Sequence, residues 1–262
     1  MAMRGCHLPE FIKDPTREEV EALLEPPDAI RHLTIAPELD GALDAIERFA
    51  NAGVSVAVAH SNAEYDDLDA AITRGLRHVT HLFNAMSVAH QRGPHRISGV
   101  VETALARDDL TVELIADGLH VNANRMKLAV KAKGVANVCL VTDAMRGAGM
   151  PDGRYALGPR NGKLAVVRDG AAVMPEGTGF ASSTIPMIRC VQVMVQQVGV
   201  SLADALTMAS ANPARVIGVA DRKGALRDGM DADFVVLDHE LNVRMTVVEG
   251  RIVCQRNQIS DV

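Results

Sequence analysis

Val54-Ser55-Val56-Ala57-Val58-Ala59-His60-Ser61-Asn62 decides the fold. Its first six residues are small or β-branched and make a strand that can be covered on both faces. The run stops abruptly on an imidazole, a hydroxyl and an amide. Upstream, a segment with Leu43, Ile46 and Phe49 on one face reads as a helix capped by Asp40 and closed at Gly53. Downstream, Ala63 to Arg74 reads as a helix closed by Gly75. An apolar strand between two amphipathic helices is the unit of a parallel sheet.

The unit recurs along the chain. His32 to Pro37 (HLTIAP), His78 to Leu82, Thr111 to Ala116 and Val138 to Thr142 are further runs of strand length. Helical segments at Val100–Ala106 and Ala123–Lys133 lie between them. A first helix opens at Asp14-Pro15, with Glu18 and Glu19 in its first turn and Val20, Leu23 and Leu24 on one face. A closed α/β barrel and a doubly wound open sheet both satisfy this pattern. No GxGxxG follows any of the strands, which weighs against the dinucleotide-binding form. Residues 144–181 are rich in Gly, Pro and charge and read as a long connection with a small hairpin, Leu164–Val167 and Ala171–Val173. Residues 183–198 and 202–217 are helical. The tail from Gly229 holds three short alternating runs, Asp233–Leu237, Val243–Val248 and Ile252–Cys254, which read as a small antiparallel sheet.

Composition excludes several function classes. With no Trp, two Tyr and five Phe in 262 residues, the core is aliphatic and there is no aromatic platform for single-stranded nucleic acid. The net charge of -6 gives no electrostatic case for DNA, RNA or an anionic membrane as partner. Cys6, Cys139, Cys190 and Cys254 form no CxxC pair and read as reduced thiols of a cytoplasmic protein. No apolar run approaches the roughly 18 residues of a membrane span. Met1 to His7 lacks the apolar stretch of a signal peptide.

Polar residues fall where the strands end. His60 follows the strand quoted first, His81 and Asn84 follow the next, Asp117 and His120 the fourth, and Asp143 the fifth. In a parallel barrel these ends share one rim, where active sites are built. A single such His is more often structural, and an Asp after a strand is often a helix cap. Four such endings on successive strands point instead to a metal-assisted hydrolase. Neutral His60 and His81 would hold a divalent ion, Asp143 would move the proton of an attacking water, and His120 would orient substrate. His78, by strand alternation, points away from His81 and reads as structural. His95 reads as a loop residue, and His32 and His239 carry no assignment.

At these residues the chain resembles the N-acetylglucosamine-6-phosphate deacetylase family of the amidohydrolase superfamily. The matching stretches are Leu33–Glu38 (LTIAPE), Ala59–Asn62 (AHSN), Thr80–Met86 (THLFNAM), Ile115–Val121 (IADGLHV), Leu140–Ala144 (LVTDA), Asn212–Arg215 (NPAR) and Gly224–Asp233 (GALRDGMDAD), in the family's order. The resemblance implies a (β/α)8-type metallohydrolase barrel, here its later strands over residues 1–225, with residues 226–262 contributing to a small β-sandwich domain. It implies removal of the acetyl group from N-acetylglucosamine 6-phosphate; the alternatives are a related amidohydrolase with another substrate, such as N-acetylgalactosamine 6-phosphate, or a truncated chain inactive without the family's N-terminal segment. By the same resemblance, His60 and His81 bind one divalent metal ion (zinc, or iron or manganese), and Asp143 is catalytic. His7, Asn84, Ala85 and His120 contact substrate. Arg92 reaches the phosphate in a neighbouring subunit's site, which implies a homodimer. Arg4-Gly5-Cys6-His7 resembles the family's RGAH, which follows an HLEGP segment whose glutamate is a metal ligand. That segment has no counterpart in these 262 residues, so they are expected to match about the last two thirds of the family's length. REPG of the family stands here as Arg92-Gly93-Pro94-His95.

Overall fold

Two sides of one parallel sheet have opposite character, and that segregation builds the molecule. A computed structural model describes residues 3–26, 28–159, 162–177 and 179–256. In chain order the elements begin with α1 (Arg17–Leu24), β1 (His32–Thr34), α2 (Ala42–Asn51), β2 (Ser55–Val58), α3 (Tyr65–Thr73) and β3 (Leu76–Val79). A short hairpin, β4 (His90–Arg92) and β5 (His95–Ile97), precedes α4 (Val100–Ala106), β6 (Thr111–Ile115), α5 (Ala123–Lys133) and β7 (Val138–Val141). The five strands β1-β2-β3-β6-β7 pair side by side, all parallel. Leu33, Val56, Val58, Val79, Val112, Leu114 and Leu140 pack with Ile46, Phe49, Leu68, Ile72 and Met126 of the helices in one aliphatic core. The other face carries His32, Thr34, Ser55, His78, Thr111 and Glu113, as the two-residue period requires.

The expected strands and the helices at 100–106 and 123–133 are present. The caps differ in two places. Helix α1 starts at Arg17 because Thr16 caps it, its hydroxyl accepting from the Glu19 amide while the Glu19 carboxylate accepts from the Thr16 amide. Asp40 does not cap α2; Gly41 does, in a left-handed conformation and with no side-chain bond.

Beyond β7 the chain adds more sheet than its sequence suggests. Strands β8 (Gly153–Ala156), β9 (Leu164–Arg168), β10 (Ala171–Val173) and β11 (Phe180–Ser183) form a four-stranded antiparallel sheet, not a lone hairpin. Its small core is Ala165, Val167 and Ala172. Ser183 ties this sheet to the strand end at Asp143 through its amide on the Asp143 carbonyl, 3.0 Å. Helix α6 (Met187–Val193) and the helical run from Leu202 to Val216 follow, each with a π turn. Strands β12 (Phe234–Leu237), β13 (Val243–Val248) and β14 (Arg251–Gln255) make the expected three-stranded antiparallel sheet. Among the described residues, no helix is long and apolar enough to cross a membrane.

Candidate active site

Three chain reversals at the ends of β2, β3 and β7 gather the site. His60 after β2, His81 after β3 and Asp143 after β7 all have left-handed backbones, with φ of 49°, 36° and 47°. Such angles are costly for residues with a Cβ and persist where the surrounding structure imposes them. Each turns its side chain over the end of the sheet, and all three line one cavity of about 530 Å³ with His7, Arg4, Glu38 and Asn62. Gly5 lets the N-terminal segment close against the site: a Cβ there would lie 3.0 Å from the His60 ring.

The two imidazoles meet through their Nε2 atoms. His60 donates from Nδ1 to the Met3 carbonyl at 3.0 Å, which leaves its Nε2 unprotonated in the neutral ring. That Nε2 lies 3.1 Å from Nε2 of His81. Two nitrogens bound to one tetrahedral zinc at about 2.0–2.1 Å would be roughly 3.3 Å apart, so the pair fits a shared ion. Burial, then the neighbouring His81 and His7 rings, pushes the His60 pKa down to about 4, so the ring is neutral at pH 7. The His7 ring lies 4.3 Å from that of His60, centroid to centroid. Nδ1 of His81 is buried without a hydrogen-bond partner among the described residues. Burial raises the Asp143 carboxyl above the ordinary carboxylate range, against the pull of His81 and His120.

His120 is held by a residue with no role assigned from sequence. Asp117 accepts from the amides of Leu119 and His120 at 2.8 and 2.9 Å and bonds Nδ1 of His120 at 2.6 Å. Burial pushes the Asp117 carboxyl up, but these bonds outweigh it and leave the pKa below its usual value. The DGLH spacing was the available signal, an Asp three residues before a His. Asn84 turns its side-chain amide back onto the carbonyls of His81 and Leu82, bracing the loop in which Phe83 and Ala85 have φ of 80° and 46°. Arg92 is not brought to the cavity. It stands on the exposed β4–β5 hairpin, paired with Glu64.

His78 and His32 lie away from the rim, on the polar face of the sheet. Strand alternation holds through β3: His78 lies on the polar face, fully buried between Thr111 and Glu113. Among the described residues, His32, His78 and Glu113 are the trio of donor side chains whose ligand atoms all lie within 4.8 Å of one another. Glu113 was missed because a strand read as continuously apolar hides one acidic residue on its second face.

A parallel α/β sheet with imidazoles and a carboxylate at its strand ends matches the rim of the barrel-type metal-assisted hydrolases. The chain belongs to the amidohydrolase family, whose profile matches residues 10–253. It is 37% identical to N-acetylglucosamine-6-phosphate deacetylase of Bacillus subtilis (strain 168) over 223 residues, 85% of this chain and 54% of that protein. It is 35% identical to N-acetylgalactosamine-6-phosphate deacetylase of Escherichia coli O157:H7, over 95% of this chain and 64% of that one. The crystal structure of N-acetyl-D-glucosamine-6-phosphate deacetylase from Mycobacterium smegmatis superposes with a TM-score of 0.87 at 37% identity, covering 96% of this chain and 66% of that one. The chain thus spans roughly 54–66% of the length of these relatives.

Proposed function

We propose that the chain carries the catalytic rim of an enzyme that hydrolyses the N-acetyl group of N-acetylglucosamine 6-phosphate, releasing acetate and glucosamine 6-phosphate. The observation that carries this reading is the convergence of the His60 and His81 Nε2 atoms in the cavity shared with Asp143. His60 and His81 would hold one divalent cation, with zinc best suited to the pair and iron or manganese as alternatives. When bound, the cation supplies Lewis acidity, which polarises an acyl oxygen and acidifies water at neutral pH. Asp143 takes a proton from the attacking water and returns it to the departing amine; its raised pKa suits both transfers. Asp117 fixes the His120 ring so that Nε2 is presented to the substrate. His7, Asn84 and Ala85 complete the substrate contacts, and the left-handed turn at Ala85 supports a loop shaped for them.

Arg92 is assigned to the phosphate of a second subunit's substrate in a homodimer. Its exposed position supports this, and its planar fork suits phosphate oxygens. The domain division is placed after residue 225.

The similarity to the galactosamine enzyme favours one second reading, in which the epimeric sugar phosphate is the substrate. Acetate release from each epimer, with zinc, iron or manganese supplied in turn, decides between them. The larger kcat/KM is expected for the gluco epimer; a preference for the galacto epimer selects the second reading. No release from either with any metal overturns both.

A further inference from the structure

We propose that His32, His78 and Glu113 form a second site for one divalent transition-metal ion, separate from the His60–His81 pair. The three side chains stand on β1, β3 and β6, on the polar face of the parallel sheet. On that face Ser55 lies beside His32 and Thr111 beside His78.

Both rings are anchored as metal-ligating histidines are, through the nitrogen that faces away from the centre. Nδ1 of His32 meets the Ser55 hydroxyl at 3.2 Å. Nδ1 of His78 meets the Thr111 hydroxyl, and that hydroxyl donates onward to the Arg77 carbonyl at 3.3 Å. Thr111 therefore accepts from His78, so Nδ1 carries the proton and the neutral ring has a bare Nε2. That bare nitrogen faces Oε1 of Glu113 at 3.1 Å. Two acceptors in contact require something positive between or beside them. Nε2 of His32 is likewise buried and has no hydrogen-bond partner among the described residues.

A cation satisfies all three groups at once. The His78–Glu113 separation already matches neighbouring ligands of one ion. The trio lies within 4.8 Å, so a rotation of the His32 ring that moves Nε2 by at most about 1.5 Å completes the set. Two imidazoles and a carboxylate with an open position select zinc or ferrous iron over calcium or magnesium. Glu113 uses its other oxygen to accept from the His81 amide at 3.2 Å. It thereby links this site to the backbone of the rim.

The test uses zinc as the probe and the His60→Ala/His81→Ala variant of the whole chain, which removes the rim pair. Equilibrium dialysis with metal analysis is expected to find one zinc per chain. Adding His32→Leu is expected to abolish that binding. Adding Glu113→Gln, which keeps an acceptor for the His81 amide, is expected to weaken it at least tenfold. Circular dichroism confirms folding of each variant. In the unsubstituted chain, nitrogen NMR of the histidines is expected to show zinc shifting Nε2 of His32 and His78 while both Nδ1 stay protonated. Absence of zinc from the rim variant overturns the proposal. So does zinc binding that neither added substitution changes, or NMR in which His78 is a doubly protonated imidazolium unaltered by zinc. Lost deacetylase activity does not enter the outcome, so this site and the proposed reaction fail separately.

Discussion

Asp143 combines two costs that a purely structural residue would avoid. Its backbone sits at φ 47° and its carboxyl is buried enough to raise its pKa. An Asp143→Gly variant removes both, since glycine adopts this φ freely. It should unfold at higher denaturant, by roughly 1–3 kcal/mol, while losing turnover. Urea titration monitored by circular dichroism measures the first effect. Asp117 belongs to the same scale. Asp117→Asn replaces an acceptor beside Nδ1 of His120 with an amide that can present a donor. It should lower kcat roughly 10–100-fold with little change in the melting point, and histidine NMR should show the His120 tautomer altered. The sequence showed His60, His81 and Asp143 because each ends an apolar run. It hid Glu113, a single acidic residue on the second face of a strand that reads as continuously apolar.

The elements themselves were largely legible. Alternation of aliphatic runs with amphipathic helices was enough to give β1, β2, β3, β6 and β7 and their parallel order. The four-stranded sheet β8–β11 was not legible beyond its hairpin, since Gly153–Ala156 and Phe180–Ser183 are short and lack an apolar stripe. Strand burial has a chemical readout. Cys139 on β7 and Cys190 on α6 are buried, and burial pushes both thiols up to about 12, whereas Cys254 on β14 is exposed. Raised values keep the two thiols protonated, and so unreactive, at pH 8. At pH 8 iodoacetamide should therefore label Cys254 quickly and leave Cys139 and Cys190 unmodified until the protein is unfolded. Peptide mass spectrometry reads each position.

At the scale of the whole molecule, the five-stranded sheet supports the rim, and two antiparallel sheets flank the chain's later part. The three-stranded sheet leaves Ile252 and Val253 of β14 exposed, 59% and 60%, which the sequence pattern alone did not show. The quaternary proposal is tested at this scale. If Arg92 serves a neighbouring site, Arg92→Ala and Asp143→Asn are defects in different subunits' contributions to one site. Co-refolding equal amounts of the two nearly inactive variants should then restore about a quarter of full activity, from mixed dimers with one intact site each. No recovery places Arg92 in its own subunit's chemistry or outside it.

The central claim is that His60, His81 and Asp143 perform metal-assisted removal of an acetyl group. Its most direct measurement is zinc-dependent acetate release from N-acetylglucosamine 6-phosphate, with bound zinc determined on the same samples. The account predicts turnover by the unsubstituted chain. Asp143→Asn should cut turnover at least 100-fold with zinc retained at the rim, and His60→Ala or His81→Ala should lose that zinc and the activity together. Turnover that survives Asp143→Asn, or rim zinc that survives His60→Ala and His81→Ala, would contradict it.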